Sequence, residues 1–424
     1  MEKIMKYIDA HRDEAVAFLQ KMISLESTFV DQGVYGNEGN AQVWLEKQVR
    51  EWNFETSLFE PDNREISTWP DYNPGHHYDG RPNLVAISRG AGGGRSLLLN
   101  GHIDTVPLDD PAKWTYPPLS AQESEGKIYG RGACDMKAGV AAMILATKYL
   151  NDLDVPRRGD VIIESVVDEE GGGNGTLACV AKGIKADAAI VTEPTELAIY
   201  SASRGVFLLK VTVEGKPSHA CFKWNGVNAI EKGIKIANAL SDLERRWLAV
   251  RKHPQLPSPT ITLGEIAGGI SAATVPGTCT MKFDIKYLPS ELNDLGQKIT
   301  VRAEDVRREV EACIQNVCAG DEWLREHPPK LDWYLSVMPH EIDDKAEILN
   351  VVQESVQSVL GNSRISGLPS GADARHLQNN GGIPTILFGP GSMKNAHSID
   401  EYVEIDEYIN CIKILAKAIA QWTA

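Results

Sequence analysis

Short apolar runs that do not alternate with polar residues constrain this chain most. Asn83-Leu-Val-Ala-Ile-Ser88, Ser96-Leu-Leu-Leu-Asn100, Asp160–Val167 and Ala188–Val191 are each bounded by turn-forming or polar residues. A strand wetted on one face alternates; a strand covered on both faces does not. Amphipathic stretches at about 4–25 and 38–53, and the Ala-, Met- and Leu-rich Met136–Leu153, read as helices. Strands alternating with helices predict an α/β fold with a mixed, mostly parallel sheet sandwiched by helices.

The pattern changes near Arg204. Val206–Val213 reads as a strand, 226–248 as a helix, and Thr260–Ile266 and Thr278–Tyr287 as strands. In the last of these, Cys279, Met281, Phe283, Ile285 and Tyr287 alternate with polar residues, which marks a half-buried strand. A helix at 303–318 and a strand at 330–337 complete a β-α-β-β-α-β order, that of a two-layer α+β domain of ferredoxin-like type. After Pro339 the first pattern returns, with helices near 344–360 and 405–422 and a strand at Pro384–Phe388. The expected division is a discontinuous domain of residues 1–206 and 339–424, with residues 207–338 inserted. A length of 424 residues suits two domains.

A net charge of −15 argues against a nucleic-acid or anionic-membrane partner. No apolar run reaches the roughly 20 residues needed to span a bilayer. The first 20 residues carry acids where a secretory signal needs an apolar stretch. Seven scattered cysteines form no CxxC pair and no disulfide framework, so a reduced, cytoplasmic compartment is expected.

Several strand-like segments end in potential metal ligands, and ligands of open α/β sheets gather beyond the carboxyl ends of strands. His102 and Asp104 follow the first such run. Residues i and i+2 of an extended segment share a face, so Asp104 is placed to take the proton of one His102 nitrogen and leave the other for a metal; a polar strand end is the plainer reading. Asp135, in Gly130-Arg-Gly-Ala-Cys-Asp135-Met-Lys, precedes a helix and reads equally as an N-cap. Cys134 has no His or CxxC context and reads as a small buried residue.

VVDEEGGGNG (166–175) crowds Asp168, Glu169 and Glu170 against glycines. One carboxylate binding an ion and its neighbour moving a proton would use such a pair; a solvated acidic turn would also explain it. Glu193 ends Ala188–Val191, and His397 lies in the loop after 384–388. Two histidines and three carboxylates suffice for a shared Asp bridging two ions about 3.5–4 Å apart, a hydrolytic arrangement that suits zinc.

In this order, Gly-His-Ile-Asp-Thr-Val-Pro, Gly-Arg-Gly-Ala-Cys-Asp-Met-Lys, Asp-Glu-Glu, Glu-Pro, Ser-His-Ala and a late His resemble the metallopeptidase and deacylase family of acetylornithine deacetylase, succinyl-diaminopimelate desuccinylase, aminoacylase and carboxypeptidase G. The resemblance spans the whole chain. It implies a zinc-exopeptidase-like catalytic domain carrying an inserted lid and dimerisation domain. It implies that His102 and Glu193 bind one zinc, Glu170 and His397 a second, and that Asp135 bridges them ahead of a cis peptide. Asp104 would orient His102, and Glu169 would be the general base. His219, in Pro217-Ser-His-Ala220, would reach the partner subunit's site of a homodimer and stabilise the oxyanion. Arg375 would contact a substrate carboxylate; a surface salt bridge is its plainer reading.

Two positions depart from relatives that grip an α-carboxylate. Ala273 stands where Asn is common, and Lys286 where Arg is, and Lys lacks the two-pronged grip. Residues 67–79 form an insertion-like, aromatic-rich stretch, read as a mobile loop in which His76 and His77 are not ligands. The expected activity is hydrolysis of an N-acyl bond (acetyl, formyl or succinyl) on a small amino-acid-like substrate, in the manner of acetylornithine deacetylase, with two divalent ions; zinc, cobalt and manganese all fit. Deformylation of an N-formyl aminopyrimidine, or dipeptide cleavage, is the alternative. A catalytically silent binding protein is the rival of another class, and the presence of Glu169 argues against it.

Overall fold

The computed structural model describes residues 2–31 and 33–424. The chain forms two compact units: Met1–Ser201, Ile342–Gly367 and Ala372–Ala424 in one, Ala202–Glu341 with Leu368–Gly371 in the other. The expected crossings at 206/207 and 338/339 lie a few residues away, because strand Ile199–Ser203 runs through the first crossing while the composition changes only after it.

In the first unit, Thr385–Leu387, Ala188–Val191, Leu97–His102 and Val161–Val166 lie side by side in parallel. Three of these are the non-alternating runs, and every residue of all four is buried. Asn83–Ser88 and Glu55–Phe59 extend the sheet antiparallel on one side, and Ile199–Ser203 on the other, so parallel pairing is confined to the centre of a mixed sheet.

Helix Ala138–Asp152 is almost wholly buried, as its apolar composition on all sides requires. Helix Ile405–Trp422 packs along it, tied down by Tyr408 Oη donating to the Ala15 carbonyl at 3.1 Å and Trp422 Nε1 to the Ser96 carbonyl at 2.9 Å. The amphipathic stretch 4–25 is two helices, Glu2–Ala10 and Arg12–Ser24, parted at His11, whose ring stacks on Tyr7.

Residues 67–79 are not a loose loop. Asn73, His76 and Tyr78 are buried, which a reading of composition alone does not reveal. His77 is exposed and stacks on Tyr35.

The second unit has the β-α-β-β-α-β order. Its antiparallel sheet runs Thr260–Gly268, Thr278–Tyr287, Gly205–Glu214, Lys330–Val337. Cys279, Met281, Phe283, Ile285 and Tyr287 all point into one core with Ile236 and Leu240 of helix Ala229–Val250 and Val310 of helix Ala303–Ala319. Among the described residues no helix is long and apolar enough to cross a membrane, and the seven cysteines are unpaired.

Candidate active site

Parallel pairing brings the strand ends together. His102 lies in register with Val166, and Asn100 with Val191, so His102, the 168–170 acids and Glu193 leave the sheet at the same edge. The His102 Nδ1–H is held by the backbone carbonyl of Asp104 at 2.9 Å. The carboxylate of Asp104 is farther from that nitrogen, at 3.6 Å, and instead accepts the backbone N–H groups of Glu169 at 3.3 Å and Glu170 at 3.1 Å. Asp104 therefore fixes the imidazole through its main chain and the acidic turn through its side chain. The expected carboxylate–imidazole contact is thus the longer of the two that Asp104 makes with His102, 3.6 Å against 2.9 Å through the carbonyl.

Asp135 is not a helix cap. The helix begins at Ala138 with Lys137 before it, and the peptide bond between Asp135 and Met136 is cis. The Asp135 carboxylate lies 3.1 Å from His102 Nε2 through one oxygen and 3.4 Å from His397 Nε2 through the other. Its backbone N–H, with that of Cys134, donates to buried Glu401, which also holds Arg131 Nη1 at 2.8 Å. Glu401 went unnoticed in the sequence, where it is one acid among many in a polar loop. Cys134 is buried and its thiol is pushed well up by burial, in keeping with a packing role.

His397 Nε2 lies 2.8 Å from Glu170 Oε1, and His102 Nε2 lies 4.0 Å from Glu169 Oε2. Donor atoms of His102, Asp135 and Glu170 fall within 4.8 Å of one another, as do those of His102, Glu169 and Glu193. Burial, and then mutual repulsion, pushes Glu169 and Glu193 well above the usual carboxylate range and Glu170 to about 7. Hydrogen bonds donated to the carboxylates of Asp135 and Glu170 raise His397 to about 11. A buried group of acids that draws its histidines toward the charged form is a cluster demanding cations, and its nitrogen and oxygen donors suit a borderline-soft divalent ion.

Asp168 does more than end the strand. It is fully buried at positive φ and accepts His76 Nδ1 at 2.8 Å and the Tyr78 hydroxyl at 2.7 Å. The 67–79 segment is thereby pinned beside the acidic turn. Arg375 is buried and not on the surface: its Nε donates to Asp71 Oδ2 at 2.5 Å and its Nη2 to the Gly172 carbonyl at 2.7 Å. A Cβ on Gly173, whose φ is +82°, would come within 2.5 Å of Arg375 Nη2 and Asp373 Oδ1, so this turn admits only glycine.

His219 belongs to the second unit, outside the donor cluster. Its ring is exposed, and Nδ1 accepts the Cys221 N–H at 3.1 Å. In the same unit Lys286 is paired with Asp284 at 2.9 Å.

Residues 98–421 match the model of Peptidase family M20/M25/M40. The chain belongs to this family. It is a hydrolase acting on amide bonds, and the family is metal-dependent. It is 31% identical over 448 residues to the N-formyl-4-amino-5-aminomethyl-2-methylpyrimidine deformylase of Halalkalibacterium halodurans, covering 100% of this chain and 97% of the relative. It is 31% identical to the acetylornithine deacetylase of Myxococcus xanthus, covering 80% of this chain and 84% of that protein. The structure resembles that of a tripeptidase from Staphylococcus aureus with a TM-score of 0.74 at 20% identity, covering 97% of this chain and 98% of that one. At that identity the likeness concerns the fold.

Proposed function

We propose that this M20-family chain is a dinuclear amidohydrolase that removes the formyl group from an N-formylated aminomethyl-pyrimidine or a closely similar neutral amine. The observation that carries the hydrolytic reading is a pair of donor groups sharing His102, one with Asp135 and Glu170 and one with Glu169 and Glu193, with the half-exposed His397 reaching Glu170 at 2.8 Å. What supports formyl aminopyrimidine over acetylornithine is coverage: the deformylase relative matches this chain end to end, the deacetylase over 80% of it. The order of the two expected substrates is thus reversed.

His102 with Glu193 and His397 with Glu170 would each hold one divalent cation, zinc first among those that fit, with Asp135 shared. Bound there, the cations supply Lewis-acid polarisation of the amide carbonyl and a more acidic water. Glu169 takes a proton from the attacking water and delivers it to the departing nitrogen, a transfer that leaves formate and a free amine. Asp104 keeps this carboxylate in place through the backbone of its own turn. Glu401 does the same for Asp135. The exposed imidazole of His219 is assigned to the oxyanion across a homodimer, on the strength of the motif resemblance.

The test is product analysis by mass spectrometry with metal-replete protein. Formate and 4-amino-5-aminomethyl-2-methylpyrimidine are expected from the formylated pyrimidine, with two metal equivalents per chain. Cleavage of N-acetylornithine without cleavage of the formyl compound would restore the deacetylase reading.

A further inference from the structure

We propose that Asp71 sets the charge class of the substrate: its carboxylate occupies the guanidinium of Arg375, so the site takes amides whose amine half carries no carboxylate. The inference rests on the amidohydrolase reading above and deepens it.

The segment bearing Asp71 is riveted to the turn that follows Glu169 and Glu170. Asn73 Nδ2 donates to the Gly172 carbonyl at 2.6 Å, and the Asn73 N–H to Asn174 Oδ1 at 3.1 Å. Asn174 Nδ2 returns a bond to the Asn73 carbonyl at 2.7 Å. A Cβ on Gly172 would lie 2.8 Å from Asn73 Nδ2, so the bare backbone is what lets the segment close down.

Asp71 is thereby delivered to Arg375, and both side chains are 2% exposed. The rest of the guanidinium is engaged as well. Nη1 donates to the Ala372 carbonyl at 3.0 Å and lies 3.6 Å from Asp373, while Nη2 holds Gly172. One positive charge therefore faces both Asp71 and Asp373. An incoming carboxylate has two choices. It breaks the buried Asp71–Arg375 ion pair, or it adds negative charge to a group of acids; both are costly in a dry site. A neutral amine meets neither obstacle.

The test compares N-formylphenylalanine with N-formyl-2-phenylethylamine, which differ only in the carboxylate. With metal-replete wild-type protein the neutral amide is expected to have the higher kcat/KM, by about tenfold or more. Asp71→Asn and Asp71→Ser are expected to shift that ratio toward the acid by about tenfold or more. Arg375→Met added to Asp71→Asn is expected to erase the shift. A merely structural role would depress both substrates alike, so an unchanged ratio in folded, metal-replete variants overturns the proposal. Equal or better wild-type turnover of the acid also overturns it, whatever the variants do. If wild-type protein cleaves neither formamide, the deformylase reading fails on its own, and calorimetric binding of N-acetylphenylalanine decides: about tenfold tighter binding to Asp71→Asn supports the assignment, and equal affinity overturns it.

Discussion

Glu169 and Glu170 are chain neighbours whose carboxylates meet different partners, Glu170 touching His397 and Glu169 facing His102. Removing the charge of each should therefore fail differently. Glu169→Gln is expected to keep both metals and lose about 10²–10⁴-fold in turnover, the span of general acid–base help. Glu170→Gln is expected to lose metal first, which metal analysis of the purified variants reads directly. Equal metal loss in both would show that the two roles are not divided as proposed. The neighbours were legible in the sequence because three acids in a row beside glycines are hard to explain as a simple turn. Asp71, Asp168 and Glu401 were not. Each takes its meaning from a partner far along the chain: Arg375, Tyr78 and the backbone at Asp135. Period and spacing carry no record of such pairings.

At the scale of elements, helix Ala138–Asp152 approaches the strand end at Thr192 so closely that a Cβ on Gly139 would fall 2.0 Å from the Thr192 carbonyl oxygen. That contact is backbone and cannot swing aside. Gly139→Ala is expected to cost about 1–3 kcal/mol in denaturant unfolding and to weaken metal retention, because Glu193 is the next residue. Wild-type metal content in the folded variant would show that helix and ligand are uncoupled.

In the second unit, Asp321 caps helix Glu322–Glu326 and binds Lys232 and Lys235, each at 2.7 Å. Burial opposes its ionisation, but the two ammonium groups override it and hold the carboxyl below its usual range. A folded-state value below the unfolded one means stability that is full above about pH 4 and lost as pH falls toward the folded value. Asn retains the cap and removes the ion pairs. Asp321→Asn is therefore expected to destabilise by about 1–2 kcal/mol at pH 7, discounted for the partly exposed lysines. The gap should close as the pH is lowered, and a gap that does not vary with pH would refute the ionic account. The elements themselves were the most readable part of the sequence, since alternation and its absence report directly on burial. Residues 67–79 were the least readable, because their order depends on hydrogen bonds to Asp168 and Gly172 and not on any periodic face.

For the whole molecule, the proposed homodimer makes one decisive prediction. Mixing His219→Ala with Glu169→Gln, each inactive alone, should restore activity on subunit exchange, since about half the sites of a heterodimer would carry neither lesion if His219 acts across the interface. Exchange confirmed by native mass spectrometry with no activity returned would place His219 in its own chain's site or outside catalysis. The two-part organisation was visible as a change of pattern and its return. Its crossings were blurred only because a strand continues through one of them. That interruption also has a bearing on synthesis. The ribosome delivers His102, Asp135, Glu170 and Glu193 long before His397 and the helix Ile405–Trp422 that packs along Ala138–Asp152. The inserted unit's main run, Ala202–Glu341, carries its own apolar core and emerges in between. A nascent chain would thus present a folded middle while its first two hundred residues still await their closing helix. For that interval the apolar face that the last helix will cover stands open in an unfinished sheet, and it is this surface, not the acids beyond the strand ends, that calls for a chaperone.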